Sequence, residues 1–174
     1  MSLSVLISPD KFKGTLTGTQ AAKAIARGWK QVRPKDKLTL LPISDGGDGF
    51  GQSLANLMQA KRRVTTSCDS AHKQIHPYWW FKGNSRTAII ESAEIVGLAM
   101  LQKEERNPMC LDSMGLGRLI SHCSRSGKSR QKNAKRAIIG IGGSATNDAG
   151  FGMAMELGWR FLNDAGNEIT QWAD

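Results

Sequence analysis

Residues Ala137 to Gly150 read AIIGIGGSATNDAG. Ala137 to Ile141 is a short apolar run, the pattern of a buried parallel strand. Ala149 to Leu157 then carries Phe151, Ala154 and Met155 at helical spacing. The predicted order is therefore strand, glycine turn, helix. Gly142 and Gly143 permit positive φ and keep side chains out of a ligand's way. The unpaired N–H groups of the following helix would then face the turn, where the helix dipole favours an anion. A glycine between a strand and a helix is also ordinary packing chemistry. What sets this turn apart is the polar run Ser144-Ala145-Thr146-Asn147-Asp148, which a plain turn does not need. A carboxylate beside a phosphate-binding turn points to a metal ion or to a hydroxyl that loses its proton. Gly140 to Ala145 also fits the loose pattern G-x-G-x-x-A, which is weak alone.

The chain has 174 residues, 40% of them hydrophobic, enough for an ordinary domain with a real core. Its formal net charge of +9 suggests anionic partners such as phosphorylated small molecules, nucleic acid or a membrane surface. Much of that charge is local: Lys61 to Arg63 form one cluster, and the segment Arg125 to Arg136 another. Solvated loops account for such runs, and no aromatic residues interleave the basic segment, so a nucleic-acid stacking platform is not indicated. Three cysteines, with no C-x-x-C pair, suit a reduced, cytoplasmic setting. His72 and His76 lie four apart but are followed at once by Pro77, with no acid or cysteine to pair with them. No apolar run reaches the length of a membrane span, and the first residues lack the form of a signal peptide. Gly127-Lys128-Ser129 is not a P-loop, because His122 stands where that motif needs glycine and no strand leads into it.

The chain opens with a short strand, Val5 to Ser8, then the loop Lys11-Phe12-Lys13-Gly14. Thr17 or Thr19 can cap the helix that follows, whose inner face is Ala21, Ala22, Ile25, Ala26 and Trp29. Leu38 to Ile43 reads as a strand covered on both faces. At its end stands Ser44-Asp45-Gly46-Gly47-Asp48-Gly49, two acids among three glycines, where parallel α/β sheets keep their sites. A helix from Phe50 to Ala60 follows. Arg63–Cys68, Ile75–Phe81 and Arg86–Glu91 read as strands joined by short turns, and Tyr78-Trp79-Trp80-Phe81 reads as core. Glu91 starts a short helix, Asp112-Ser113 caps another, and Trp159 to Leu162 is a late strand.

Five stretches, in order, resemble the bacterial type I glycerate kinase family. They are Ser8 to Thr17, Pro42 to Gly49, Thr87 to Ala93 with Gly97-Leu98, Ser113 to Ile120, and Gly140 to Asp148 (GIGGSATND). The resemblance implies transfer of the ATP γ-phosphoryl to a hydroxyl of D-glycerate, mostly giving the 2-phosphate. It also implies an α/β fold: a Rossmann-like parallel-sheet lobe plus a smaller β-rich lobe, with substrate in the cleft between them. The expected division places 1–60 and 112–162 in the first lobe and 61–98 in the second, with 163–174 opening a further segment. The chain departs from the family pattern at Asp48 (usually Glu), Phe50 (usually Thr), Asp112 (usually Thr) and Arg118 (usually Glu), and in a long basic segment. It also stops partway through the pattern and reads as an N-terminal portion.

Phosphoryl transfer asks a protein mainly for positioning and charge neutralisation. Gly140, Gly142, Gly143, Ser144, Thr146 and Asn147 are the candidates for holding ATP. Lys11 and Lys13 can offset phosphoryl or carboxylate charge, and Asp10, Lys13, Gly46 and Gly47 are the candidate glycerate contacts. Asp48 and Asp148 are candidate Mg²⁺ ligands, and Asp45 the candidate base beside Asp148. The alternative reading is a non-catalytic α/β fragment that binds nucleotide or phosphate at most.

Overall fold

The computed structural model describes residues 1–12, 15–125 and 133–172. It separates into two units, Met1–Asp45 and Gly46–Asp174. Lys13 and Gly14 lie outside the described residues, as does most of the basic segment, including Lys128, Arg130, Lys132 and the sequence Gly127-Lys128-Ser129.

The first unit is a β-α-β arrangement. β1 (Ser4–Ile7) and β2 (Lys37–Leu40) pair in parallel from Ser4↔Lys37 to Ile7↔Leu40, joined through α1 (Gly18–Val32). Thr17 caps α1: its Oγ1 accepts from Gln20 N–H at 3.2 Å, and Gln20 Oε1 accepts from Thr17 N–H at 2.8 Å. β2 is shorter than the apolar run, and Leu40, Leu41 and Ile43 are exposed rather than covered on both faces. A two-stranded sheet has too little area to bury both faces of its second strand.

Asp36 ties this unit together. Its carboxylate accepts from Leu3 N–H (2.9 Å), Trp29 Nε1–H (3.0 Å) and Arg33 Nε–H (2.6 Å), which joins the start of β1 to the end of α1. Arg33 first, then the Leu3 amide and the Trp29 indole, hold this carboxyl far below the usual aspartate range. A depressed folded-state pKa adds stability above the unfolded-state value and loses it as pH falls toward the folded one.

The second unit is a sheet sandwiched between helices. In chain order it contains α2 (Phe50–Met58), β3 (Lys61–Val64), β4 (Ser67–Cys68), β5 (Gln74–Ile75), β6 (Tyr78–Lys82), β7 (Thr87–Glu91) and α3 (Ala93–Val96). Then come three 3-10 turns, α4 (Met114–Arg125), β8 (Arg136–Gly140), α5 (Phe151–Glu156), β9 (Phe161–Leu162) and β10 (Glu168–Ile169). The main sheet runs β3-β6-β7-β8, antiparallel except for the parallel β7–β8 pair. Two-residue periodicity sorts the core. Trp79, Phe81, Ala88 and Ile90 face the α3–α4 side with Ile95, Leu116, Leu119 and Cys123. Trp80 and Ile89 face α2 with Ala55, Phe50 and Leu54.

Several expectations change. Residues 61–98 do not make a lobe apart from 112–162, because β8 continues the sheet of β3, β6 and β7. The five-residue parallel register Thr87↔Arg136 to Glu91↔Gly140 makes them one body. The boundary falls at Asp45/Gly46 instead. Residues 163–170 complete a hairpin with β9, turned by Asn163 Oδ1, which accepts from Ala165 and Asn167 N–H. β8 is parallel as expected but only partly covered: Ala137 is exposed, and Ile141 just beyond it is 77% exposed, because β8 is an edge strand of the described sheet. Pro77 splits the Ile75–Phe81 run, since proline cannot donate to a ladder. His72 does find an acid, Asp112 Oδ2 at 2.8 Å. Among the described residues no helix is long and apolar enough to cross a membrane. Cys68, Cys110 and Cys123 are free thiols, and burial pushes Cys123 up to about 12.

Asp36→Asn is expected to lower the unfolding midpoint of the first unit at neutral pH. The gap from the unsubstituted chain should narrow as pH drops below about 4, where the carboxylate protonates in the unfolded chain while the folded one stays charged. The Trp29 indole proton resonance, followed against temperature at several pH values, checks this.

Candidate active site

The second unit brings two glycine turns together, backbone against backbone. One runs from Gly46 to Gly49 ahead of α2, the other from Gly140 to Gly143 after β8. Gly142 N–H donates to Gly46 O at 3.0 Å. A Cβ on Gly142 would stand 2.6 Å from both Gly47 Cα and Gly47 N. A Cβ on Gly140 would stand 2.4 Å from the Phe50 ring and 2.6 Å from Gly46 O. These two glycines are therefore required by packing, which the sequence pattern did not separate from ligand approach. Gly46 and Gly47 are buried in the same contact.

Gly143 differs. Its φ is 71°, its Cβ position has only Ala93 Cβ and Asp48 Oδ1 nearby, each at 3.5 Å, and the residue is exposed. Unlike Gly140 and Gly142 it is open, and the Asp48 carboxylate stands beside it. Its carbonyl accepts from Leu98 N–H at 2.9 Å, and Ala145 N–H donates to Val96 O at 2.7 Å, so residues 143–145 lie strapped along α3 and the turn after it. Ser144 and Asn147 are exposed, and Thr146 is half-buried.

No helix begins directly behind the glycines. α5 starts only at Phe151, with Gly150 as its left-handed N-cap. Its first N–H groups are already occupied. Asp148 Oδ1 accepts from Gly150 N–H (3.2 Å), Asp148 Oδ2 from Gly152 N–H (3.0 Å), and Ser113 Oγ from Met153 N–H (2.9 Å). Asp148 Oδ2 also accepts from Ser113 N–H (2.9 Å) and Ser113 Oγ–H (2.7 Å). Asp148 is thus a buried strut, 4% exposed, between the start of α4 and the start of α5. Oδ2 takes three of these four donors and Oδ1 one, so the geometry gives this buried carboxylate a structural task. The expected dipole-held anion at this helix start is likewise replaced by an internal carboxylate.

The start of α2 is capped the same way. Gly49, its N-cap, is left-handed and supplies no side chain. Glu91, the last residue of β7, accepts from Gly49 N–H at 2.7 Å and Gly51 N–H at 2.8 Å. Glu91 is 2% exposed. Burial pushes its carboxyl above the ordinary glutamate range, the two amides pull it back, and the nearby Glu94 and Asp48 carboxylates push it up further. The sequence pattern already ends a strand at Glu91, as the structure does, but assigns it no role at the site.

Asp10, Lys11 and Asp45 belong to the first unit, where Lys11 N–H donates to Asp10 Oδ1 at 2.7 Å. Of the predicted site residues, the structure brings together Gly46, Gly47, Asp48, Gly140, Gly142 and Gly143. Among the described residues no group of three or more His, Cys, Asp or Glu side chains is arranged to hold a metal. Mg²⁺ does not need one, because it commonly takes one or two carboxylates with substrate phosphates and water. Exposed Asp48 beside Gly143 fits that demand, whereas Asp148 is buried and tied into the scaffold.

Paired glycine turns and an exposed acid thus meet at the strand ends of this α/β unit. The chain belongs to the glycerate kinase family: the family's sequence model matches residues 5–174. It is 38% identical over 167 residues to a glycerate kinase of Bacillus subtilis, covering 96% of this chain and 42% of that protein. It is 34% identical to glycerate 2-kinase of Escherichia coli, again covering 96% of this chain and 42% of the relative. A crystal structure assigned to glycerate kinase 2 of Salmonella typhimurium LT2 superposes with a TM-score of 0.77 at 31% identity, over 98% of this chain and 44% of that one. The chain thus spans less than half the length of these relatives.

Asp148→Asn is expected to destabilise the second unit by about 2–4 kcal/mol, because it sets an amide NH₂ among donors that the carboxylate now satisfies. Urea unfolding measures it. An unchanged midpoint would return Asp148 to a role outside the scaffold.

Proposed function

We propose that the protein, with whatever completes the family fold, transfers the γ-phosphoryl group of ATP to a hydroxyl of D-glycerate, giving phosphoglycerate. The Escherichia coli relative is a glycerate 2-kinase, which favours the 2-hydroxyl. One observation carries the reading: Gly143, open and at positive φ, has the Asp48 carboxylate at its side, while Gly140 and Gly142 just before it are closed by packing.

The exposed backbone at Gly143 gives phosphate oxygens a surface they can approach without meeting a side chain. Ser144, Thr146 and Asn147 follow in the strapped segment and supply short polar groups along it. Asp48 would hold Mg²⁺, which when bound neutralises phosphate charge. Lys11 and Lys13 offset charge on the transferred group or on the glycerate carboxylate, and Asp10 is a glycerate contact. Asp45 accepts the proton of the attacking hydroxyl. No covalent enzyme intermediate is needed, because phosphoryl transfer depends on alignment and electrostatics. A cytoplasmic location suits these substrates.

The reading is tested by grafting residues 1–174 onto the Bacillus subtilis relative in place of its matching portion. Glycerate-dependent ATP consumption is expected from the folded chimera and not from residues 1–174 alone, since each ~1.4 kcal/mol of lost alignment costs about tenfold in rate. Asp48→Asn should abolish turnover in the chimera, whereas Asp48→Glu should retain it. A folded chimera without glycerate-dependent turnover would count against the assignment.

Gly143→Ala probes the open glycine. The added methyl meets neighbours only at ordinary contact distance, and the left-handed backbone costs about 1–2 kcal/mol. The expected result in the chimera is a KM for ATP raised about tenfold with the KM for glycerate unmoved. An unchanged ATP response would reduce this turn to packing.

A further inference from the structure

We infer that Glu91 is the positioning residue of the site: it clasps the Asp48 turn and sets that carboxylate against Gly143. The inference rests on the proposed function above and adds to it a residue that neither touches substrate nor carries a role in that reading.

Glu91 closes β7, a strand whose five residues are all buried, between the two helical layers. Burying a carboxylate there without a cation is costly. Its side chain accepts from Gly49 and Gly51, one on each oxygen, at 2.7 and 2.8 Å. Charge-assisted bonds to backbone N–H at a helix start recover part of that cost. A neutral amide could cap one of these groups without bringing a charge inside, so the cap alone does not account for an acid.

The placement does. Gly49 directly follows Asp48, and Glu91 stands opposite Gly140 in the β7–β8 ladder. One residue therefore touches the Asp48 turn through its side chain and the Gly140–Gly143 turn through its strand register. Ser92 N–H extends the second link by donating to Gly140 O at 2.9 Å. The two oxygens fix two amides on the far side of Asp48, while the Gly142–Gly46 hydrogen bond fixes the near side. Asp48 is held at both ends, and neither hold uses its own side chain.

The test uses residues 1–174 and Mn²⁺ with ATP as the probe, read by Mn²⁺ electron paramagnetic resonance, together with amide hydrogen exchange. Glu91→Gln keeps the shape but turns an NH₂ group toward an amide that is itself a donor. The expected result is exchange at Gly49 or Gly51 faster by about tenfold, and Mn²⁺ affinity reduced about tenfold, as in Asp48→Asn. Ala55→Gly loosens the same helix from its middle and should leave Mn²⁺ affinity within about twofold. Glu91→Asp, one methylene short, should not rescue binding.

If Asp48→Asn loses Mn²⁺ while Glu91→Gln keeps it, the clasp is overturned and the role of Asp48 survives. If Ala55→Gly loses Mn²⁺ as much as Glu91→Gln, the effect is general loosening of α2 and the clasp is again overturned. If the unsubstituted chain binds Mn²⁺ no better than Asp48→Asn, the reading of Asp48 under the proposed function falls, and the clasp with it.

Discussion

The contact on which the second unit depends is the meeting of two turns without side chains between them. Gly142 donates to Gly46, and no Cβ fits at Gly140 or Gly142 without striking the opposite backbone or the Phe50 ring. This contact sets the distance between the end of β8 and the start of α2. It also decides what stands at the surface: Gly140 and Gly142 are closed by packing and Gly46 and Gly47 are buried, while Gly143, Asp48 and Gly49 are exposed. Cores tolerate extra atoms poorly, and backbone cannot move aside as a flexible side chain can.

The starts of α2 and α5 are filled by the protein's own carboxylates, one distant in sequence and one local. Glu91 closes α2 and Asp148 closes α5. A helix start is a ready site for an anion, and here the protein supplies its own. The attraction for a phosphate group is thereby moved from helix dipoles to the exposed turn and to cationic side chains. The two acids also act as struts: Asp148 joins α4 to α5 through Ser113, and Glu91 joins the central strand to α2. Asp36 performs the same service in the first unit, where one buried carboxylate gathers the start of β1 and the end of α1. In each case a side-chain acceptor meets backbone amides that regular structure leaves unpaired.

The family was legible in the sequence because its motifs are made of residues with narrow physical uses. Glycines at 140, 142 and 143 and the acids at 45, 48 and 148 have few jobs. The Thr17–Gln20 cap and the alternation of Tyr78-Trp79-Trp80-Phe81 were legible for the same reason: each follows from a local rule, side chain to nearby amide or every second residue inward. The boundaries of the units were not. Which strand β8 pairs with is a contact between residues about fifty positions apart, and periodicity carries no information about partners.

The sequence by itself determined the element types, the family, and the positions of the polar groups available for phosphate chemistry. Only the tertiary structure decided which of those groups are spent on the scaffold. Asp48 and Asp148 look alike in sequence, each an acid beside glycines, yet one is exposed next to Gly143 and the other is buried under four donors. Gly142 and Gly143 are adjacent, yet one is closed by Gly47 and the other is open. The reason is physical: a carboxylate or a bare α-carbon serves a ligand or the fold equally well, and only the neighbours brought up by chain folding choose between them.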